Sequence, residues 1–422
     1  MSIVIWGAGR RGRRFADYVG KEHVIGFIDR NESLQGKAVA GLPVFSYEEW
    51  KAKGRPGFLM VSPLYDQEIC QGLLSDGIYE FSSLNDEPVE INIGDKEFSL
   101  EEIPLLQTLA GKRVGIYGTT YFSFMLADYL KERGCASVTR ISHREPVSPR
   151  TPDTGAYDII LVTVRKMEPV SYRYPNVRLE NFWDFSYLPK YQHPELEQFR
   201  GCHNGERLFI IATGPSLRLE DLETLRRHGE KTMSVNMIYR SFNQTRWRPD
   251  YYVMCDANGI EEYGKELKEL HLPGMFVGDN NRKFYHSKGT EHIHFYHMIH
   301  ARMRDWPDVS DNIVKCVFGG GGTVVLDCLQ IAVYMGFHEI YLLGTDCDYQ
   351  GAPQEKCNHF IKDYFHDDDR QPHTPFPLEE TFLGYQAIRD YARRHDIQIF
   401  NATRGGKLEV FPRVAFDTLF DG

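Results

Sequence analysis

The chain has 422 residues, enough for about two or three domains, and carries 59 acidic against 49 basic side chains for a formal net charge of -10. That balance argues against a general nucleic-acid binder, whose affinity rests on lysine and arginine neutralising phosphates. Eight scattered cysteines without a CxxC pair read as reduced thiols in a cytoplasmic protein, and no apolar run reaches the ~18 residues that would span a membrane.

Residues 1–95 read as a small nucleotide-binding-type unit. Ile3 to Trp6 is a short apolar strand, and Gly7-Ala8-Gly9-Arg10-Arg11-Gly12 then fits GxGxxG, with helix continuing from Arg13 to Val19. The basic residues lie behind this apolar run, unlike those of a signal peptide. A second strand, His23 to Ile28, ends at Asp29, where a ribose-binding acid is expected. Gly7, Gly9, Arg10, Gly12 and Asp29 are therefore the nucleotide-loop candidates, Arg10 favouring an anionic ligand. Hydride chemistry would need a substrate-side acid or base in this half, and none is evident.

Residues 96–190 partly repeat the plan. Val114 to Tyr117 is a strand, Phe122 to Arg133 a helix, Ser137 to Ile141 and Asp158 to Val164 further strands. Thr120 and Tyr121 stand where phosphate-loop glycines would be, so this copy is degenerate. Tyr187 to Gly205 reads as a linker.

Residues 206–422 form the third unit. Strands are expected at Leu208 to Ile211, Thr232 to Asn236, Tyr251 to Cys255, Gly274 to Val277, Ile293 to Tyr296, Glu339 to Leu343 and Ile397 to Asn401. Helices fall between most of them, notably Thr323 to Met335 and Phe382 to His395, which argues a parallel, doubly wound sheet. The first strand breaks into Thr213-Gly214-Pro215-Ser216 before a helix opening at Leu219, and the strand Glu339 to Leu343 ends in Gly344-Thr345-Asp346. Ligands bind outside the carboxyl ends of such strands, so both glycine-bearing ends are expected to face one cleft. The backbone at 213–216 is the candidate anion cradle, and the glycine turn at 319–322, with Gly321 and Gly322, leads the long helix.

Four histidines at 292, 294, 297 and 300 suggest zinc at first glance. No cysteine or carboxylate sits among them, and a helix expected near His297 would split the set, so a histidine-lined groove or plain surface is the reading and no metal is assigned.

Several of these stretches occur together in known families. GPSL after the first strand, SVN at 234–236, VMCDA at 253–257 and GFHEIYLLGTD at 336–346 resemble the bacterial sialyltransferases that use CMP-sialic acid to decorate lipooligosaccharide. GGGGTVVLDCLQIAVYMGFHEIYLLGTDCDY and IQIFNATRGGKLEVFPRV are similar to the broader MptE-like, Maf-related superfamily, which includes flagellin glycosyltransferases and an archaeal hydroxymethylpterin pyrophosphokinase. GAGRRGRR, IGFIDRN and GLPV resemble the nucleotide-binding module at the front of some sugar acetyltransferases.

The resemblance implies an α/β chain with Rossmann-like parallel sheets: two small nucleotide-binding-type units followed by a doubly wound glycosyltransferase-like domain. It implies that Gly214, Pro215, Ser216 and Asn236 lie near nucleotide phosphates and ribose, with Asp256 at the place of a cytidine-contacting asparagine. Thr323 matches a threonine of the turn before the long helix, while Val324 replaces the serine that follows it in the sialyltransferases. Tyr349 lies beside a tyrosine that assists the leaving phosphate, and the family's histidine base falls in the region of His373.

Glycosyl transfer needs a cradle for the nucleotide, help for the departing phosphate and a base for the acceptor hydroxyl. Thr213 to Ser216 supply the cradle, Tyr349 and Tyr364 can donate to phosphate oxygens without a metal, and His359 or His373 can take the acceptor proton. Asp346-Cys347-Asp348 spells D-x-D, a set of hard oxygens suited to magnesium with a nucleotide di- or triphosphate; sialyltransferase-like chemistry requires none.

The expected function is thus a glycosyltransferase taking a nucleotide sugar, CMP-activated by first choice, and a glycan or glycoprotein acceptor such as a surface glycan, a teichoic-type polymer or flagellin. One alternative is an MptE-like pyrophosphokinase transferring diphosphate from ATP. The other is a non-catalytic nucleotide-sugar-binding scaffold of a polysaccharide assembly complex. Peripheral membrane association and self-association stay open, with no nucleic-acid partner and no transmembrane segment expected.

Overall fold

The computed structural model describes residues 1–63, 66–144, 155–165, 168–300, 309–319, 322–348, 358–361, 364 and 378–420. The chain divides into two compact units, Met1–Leu188 and Pro189–Gly422. Both are parallel α/β, as the alternation of apolar runs and helical segments implies.

The N-terminal unit holds two sheets. In the first, the strands run Ala38–Val39, Leu42–Phe45, Val24–Ile28, Ile3–Trp6, Phe58–Val61 and Phe81–Ser83 across the sheet, parallel except for the Ala38–Val39 pair. IVIW and FLMV are buried at every position, as central strands covered on both faces must be. The second sheet is parallel in the order Arg178–Asn181, Ile159–Val162, Arg113–Tyr117, Ser137–Ile141. Each sheet begins with the same unit: a buried strand, a glycine turn and a helix, Arg10–Val19 in one and Tyr121–Lys131 in the other.

The C-terminal unit is built on a seven-stranded sheet ordered Ile293–Tyr296, Gly274–Gly278, Tyr251–Met254, Lys231–Val235, Arg207–Ile211, Glu339–Leu343, Gln398–Asn401, parallel throughout. All seven strands expected from the sequence are present. Period-2 alternation assigns their side chains to two cores. Leu208 and Ile210 face the helices Val325–Met335 and Leu378–Arg394, whereas Phe209 and Ile211 face Leu219–His228 and Ala257–Glu269. The chain runs outward from Arg207–Ile211 in one direction and returns at Glu339–Leu343 on its other side. The boundary between these two strands is the topological switch point, the place at whose carboxyl edge open α/β sheets bind their ligands.

Two sequence expectations are corrected here. Among the described residues no helix begins near His297; Met298–His300 is a strand pairing in parallel with Val317–Gly319. His297 closes the preceding strand and turns inward, so the chain stays extended. The stretch expected as a linker is folded: Pro189–Tyr191 and Pro194–Phe199 are 3-10 turns, and Leu196 is fully buried in the C-terminal core. Its proline and histidine content reads as loop, but its aromatic and leucine side chains are spent on packing. Among the described residues, no helix is long and apolar enough to cross a membrane.

The long helix Val325–Met335 is apolar nearly all round, yet carries buried Gln330. Its side-chain oxygen accepts from the Ser310 and Phe318 amides at 2.9 and 3.1 Å, and its nitrogen donates to the Phe318 and Leu326 carbonyls at 2.9 and 3.1 Å. One amide thus satisfies backbone groups that flank the turn preceding the helix. Gln330→Leu, close in volume but unable to hydrogen-bond, strands these groups and is expected to cost at least about 2 kcal/mol. Denaturant unfolding of variant and wild type measures it.

Candidate functional site

The carboxyl ends of the two switch-point strands bring together Thr213 to Ser216, Asp346 and Asp348. Arg207–Ile211 and Glu339–Leu343 pair in register from end to end, and the pairing continues into their turns, where the Gly214 amide donates to the Gly344 carbonyl at 2.9 Å. Gly344 takes a left-handed φ of 68°, which turns the chain so that Asp346 comes back over the partner turn. The Ser216 hydroxyl donates to Asp346 Oδ2 at 2.9 Å, and the Ser216 amide faces the same oxygen at 3.4 Å. A Cβ on Gly214 would lie 2.0 Å from that oxygen and 2.5 Å from the Gly344 carbonyl. The glycine is therefore demanded by the approach of its neighbours.

This geometry revises the anion cradle. Pro215 has no N–H, the Gly214 amide is committed to Gly344, and the Ser216 amide points at a carboxylate of the protein itself. Burial raises the Asp346 carboxyl above the usual carboxylate range, and neighbouring Asp348 adds to the rise against the lowering hydrogen bonds from Ser216. Asp348 pairs with Lys407 Nζ at 2.7 Å, and the Lys407 amide donates to the Asp346 carbonyl at 2.7 Å. Lys407 escaped the sequence reading. Its signal was the Gly405-Gly406-Lys407 turn following the neighbouring strand Gln398–Asn401.

Above Thr213 stands an aromatic pair. The His359 and Tyr364 rings stack with centroids 3.6 Å apart and planes within 11°. His359 Nδ1 lies 3.3 Å from Thr213 Oγ1, the Thr213 hydroxyl donates to the Tyr364 hydroxyl at 3.1 Å, and the Phe360 amide donates to the Thr213 carbonyl at 3.1 Å. Tyr364 is fully buried, and the Asn236 side chain and Met237 amide also hydrogen-bond its hydroxyl. Burial pushes that phenol up to about 12, so it stays protonated, and lowers His359 to about 4, so its imidazole is neutral at ordinary pH. Arg240 holds the Tyr364 carbonyl at 2.9 Å while pairing with Glu266 at 2.9 Å. Arg240 was also missed, since nothing local to its short 3-10 segment points to residue 364.

Asn236 follows its strand with a left-handed φ of 51°, a conformation asparagine tolerates better than most residues. Asp256 caps the helix Ala257–Glu269 by accepting from the Asn258 amide at 3.0 Å. Thr323 Oγ1 accepts from the Val325 amide at 3.3 Å just after Gly322. Thr213, Gly214, Pro215, Ser216, Asn236, Asp256, Asp346 and Asp348 all follow carboxyl ends of central strands. Gly321, Tyr349 and His373 lie outside the described residues.

The histidine set does not assemble. His292 stacks on His271 with centroids 4.4 Å apart, His294 packs against Phe199, and His297 is buried with Nδ1 3.0 Å from Asp279. The expected groove or surface location is thus corrected for His297. Among the described residues, no group of three or more His, Cys, Asp or Glu side chains could hold a metal by itself. Asp346 and Asp348 are two hard-oxygen carboxylates, one engaged by the Ser216 hydroxyl and the other by Lys407.

In the N-terminal unit, Gly7, Gly9 and Gly12 take three separate roles. Gly7 turns with φ 104°, Gly9 precedes the helix in the open, and a Cβ on Gly12 would lie 2.0 Å from the Gly7 carbonyl. Asp29 accepts from the Ala8 amide at 2.8 Å and the Asn31 amide at 2.9 Å. Arg10 opens the helix, at intermediate exposure.

Residues 185–352 match the family model described as 6-hydroxymethylpterin diphosphokinase MptE-like. A solved structure of a Maf glycosyltransferase from Magnetospirillum magneticum AMB-1 is similar at 13% identity and a TM-score of 0.35, covering 72% of this chain and 58% of that one. This chain therefore spans 58% of that protein's length. No curated protein matches.

Two outcomes are expected. Gly214→Ala drives Asp346 off Ser216 and costs about 1–3 kcal/mol through overpacking, read by thermal or denaturant unfolding. His359 has a folded value of about 4, below the ~6.5 of a free imidazole. Its contribution to stability is present above pH ~6.5 and is lost as pH falls through about 4, a loss on the order of 3 kcal/mol. His359→Gln should flatten that part of the stability–pH curve.

Proposed function

We propose that the carboxyl-edge crevice of the C-terminal unit transfers a glycosyl group from a nucleotide sugar, CMP-activated by first choice, to a hydroxyl of a surface glycan, teichoic-type polymer or flagellin. The observation that carries this reading is the neutral His359 imidazole, held by Thr213 and stacked on Tyr364 at the switch point. His359 takes the proton of the acceptor hydroxyl, the acceptor oxygen bonds to the sugar carbon, and the sugar–phosphate bond breaks with its electron pair leaving on the nucleotide. The hydroxyl of Tyr364 is engaged by Thr213 and Asn236, so this residue supports the base and the strand ends. Donation to the departing phosphate then falls to Tyr349, and His373 is the competing base.

The second reading is diphosphate transfer from ATP. It is favoured by the paired Asp346 and Asp348 beside Ser216, and by the similarity of residues 185–352 to the MptE-like family model. Asp346 and Asp348 would hold magnesium, which when bound neutralises phosphate charge. The third reading, nucleotide binding without turnover, makes the crevice a scaffold site. For the N-terminal unit, we assign nucleotide binding to Gly7, Gly9, Arg10, Gly12 and Asp29.

Product analysis separates the readings. With a panel of nucleotide sugars and magnesium ATP, CMP release means glycosyl transfer, AMP release means diphosphate transfer, and neither means binding alone. His359→Ala is expected to lower kcat about 10²–10⁴-fold with little change in the thermal shift given by the nucleotide. Unchanged turnover in this variant would transfer the base role to His373.

A further inference from the structure

The two sheets of the N-terminal unit begin alike but end their first strands differently. In the first, Gly9 precedes the helix without a side-chain cap, and no acidic residue lies in the opening turn. In the second, the start of the helix Tyr121–Lys131 is already engaged by the protein. Glu87, which follows the last strand of the first sheet, is 1% exposed. Its Oε1 accepts from the Tyr121 amide at 2.5 Å and from the Ser82 hydroxyl at 2.5 Å, and its Oε2 accepts from the Phe122 amide at 3.0 Å. The Ser123 amide donates to Thr120 Oγ1 at 3.1 Å, and the Thr119 amide to His143 Nδ1 at 3.1 Å.

Amides at the start of a helix that follows a parallel strand form the place where nucleotide sites hold phosphate. A carboxyl group presents two acceptor oxygens to the same donors. We propose that Glu87 is a built-in substitute for a bound anion: it fills the phosphate position of the second sheet, closes that site to nucleotides and fastens the second sheet to the first. The loss of loop glycines at Thr120 and Tyr121 follows, because no phosphate has to approach the backbone there. The same segment is tied to the other helix, since Arg11 donates to Asn92 Oδ1 at 2.9 Å and Arg14 to the Asn92 carbonyl at 3.0 Å. Among the described residues of the N-terminal unit, Gly7 to Gly12 is then the loop to which nucleotide binding is proposed.

The test is anion rescue in the full chain. Glu87→Ala leaves two helix amides and a carboxyl-sized space. It is expected to lower the unfolding midpoint by about 4 °C or more, and formate or inorganic phosphate should raise it again saturably, relative to chloride at equal ionic strength. Wild type should show no such rescue. A folded Glu87→Ala protein indifferent to both anions overturns the proposal. So does a wild-type phosphate shift that Glu87→Ala abolishes. Should the alanine variant not fold, Glu87→Asp, which keeps the carboxyl group but falls one methylene short, carries the same formate comparison. In wild type itself, the Tyr121 and Phe122 amides should exchange slowly with deuterium, and fast exchange there also overturns the assignment.

Discussion

The parallel pairing of Arg207–Ile211 with Glu339–Leu343 is the constraint on which the C-terminal unit depends. These segments are more than a hundred residues apart in the chain, and each presents a fully buried apolar run that needs cover on both faces. Once they are neighbours, their hydrogen bonds leave no freedom of register, and the two turns beyond them must meet. Gly214 then has to lack a side chain, and Asp346 has to sit against Ser216. The helix Leu219–His228 lies on one face and the helices Val325–Met335 and Leu378–Arg394 on the other, so among the described residues these helices pack on the faces of the sheet and the two turns meet at its carboxyl edge.

Electrostatics in that crevice runs on burial. Removing Asp346 from water raises its proton affinity while the Ser216 donors oppose the rise; removing His359 from water lowers the affinity of the imidazole. Both shifts favour the uncharged species. A protonated Asp346 presents little fixed negative charge beside Ser216, whereas an ionised one presents a full charge there.

The sheets were legible in the sequence because they rest on local signals. RLFII, EIYLL, IVIW and FLMV are short apolar runs bounded by glycine or polar turns, and their alternation with helical segments specifies parallel sheets without reference to distant residues. The crevice was legible only to the extent that strand ends are. That Gly214 and Gly344 would meet followed from topology, but the occupation of the cradle by Asp346 did not, since the approach of a carboxylate to an amide across two turns leaves no periodicity. Lys407, Arg240 and Glu87 escaped for the same reason: each acts on a partner far away in sequence. The histidines were assigned no metal, and only His297 departs from the groove or surface expected of them, because it turns inward to a buried aspartate.

Asp279 bears on how the molecule can be dissected. Its carboxylate is 1% exposed, held well below the usual range against its own desolvation by His297 and His193, with Arg282 at 3.3 Å. His193 belongs to the segment before the first strand of the C-terminal sheet, and its amide also donates to the Val314 carbonyl at 2.9 Å. A fragment begun at Arg207 would therefore keep every strand of the sheet yet remove one of the aspartate's histidine neighbours and uncover the slot filled by Leu196. A piece of chain that keeps these contacts reaches back to Pro189, into the stretch where the sequence still looks like a tether.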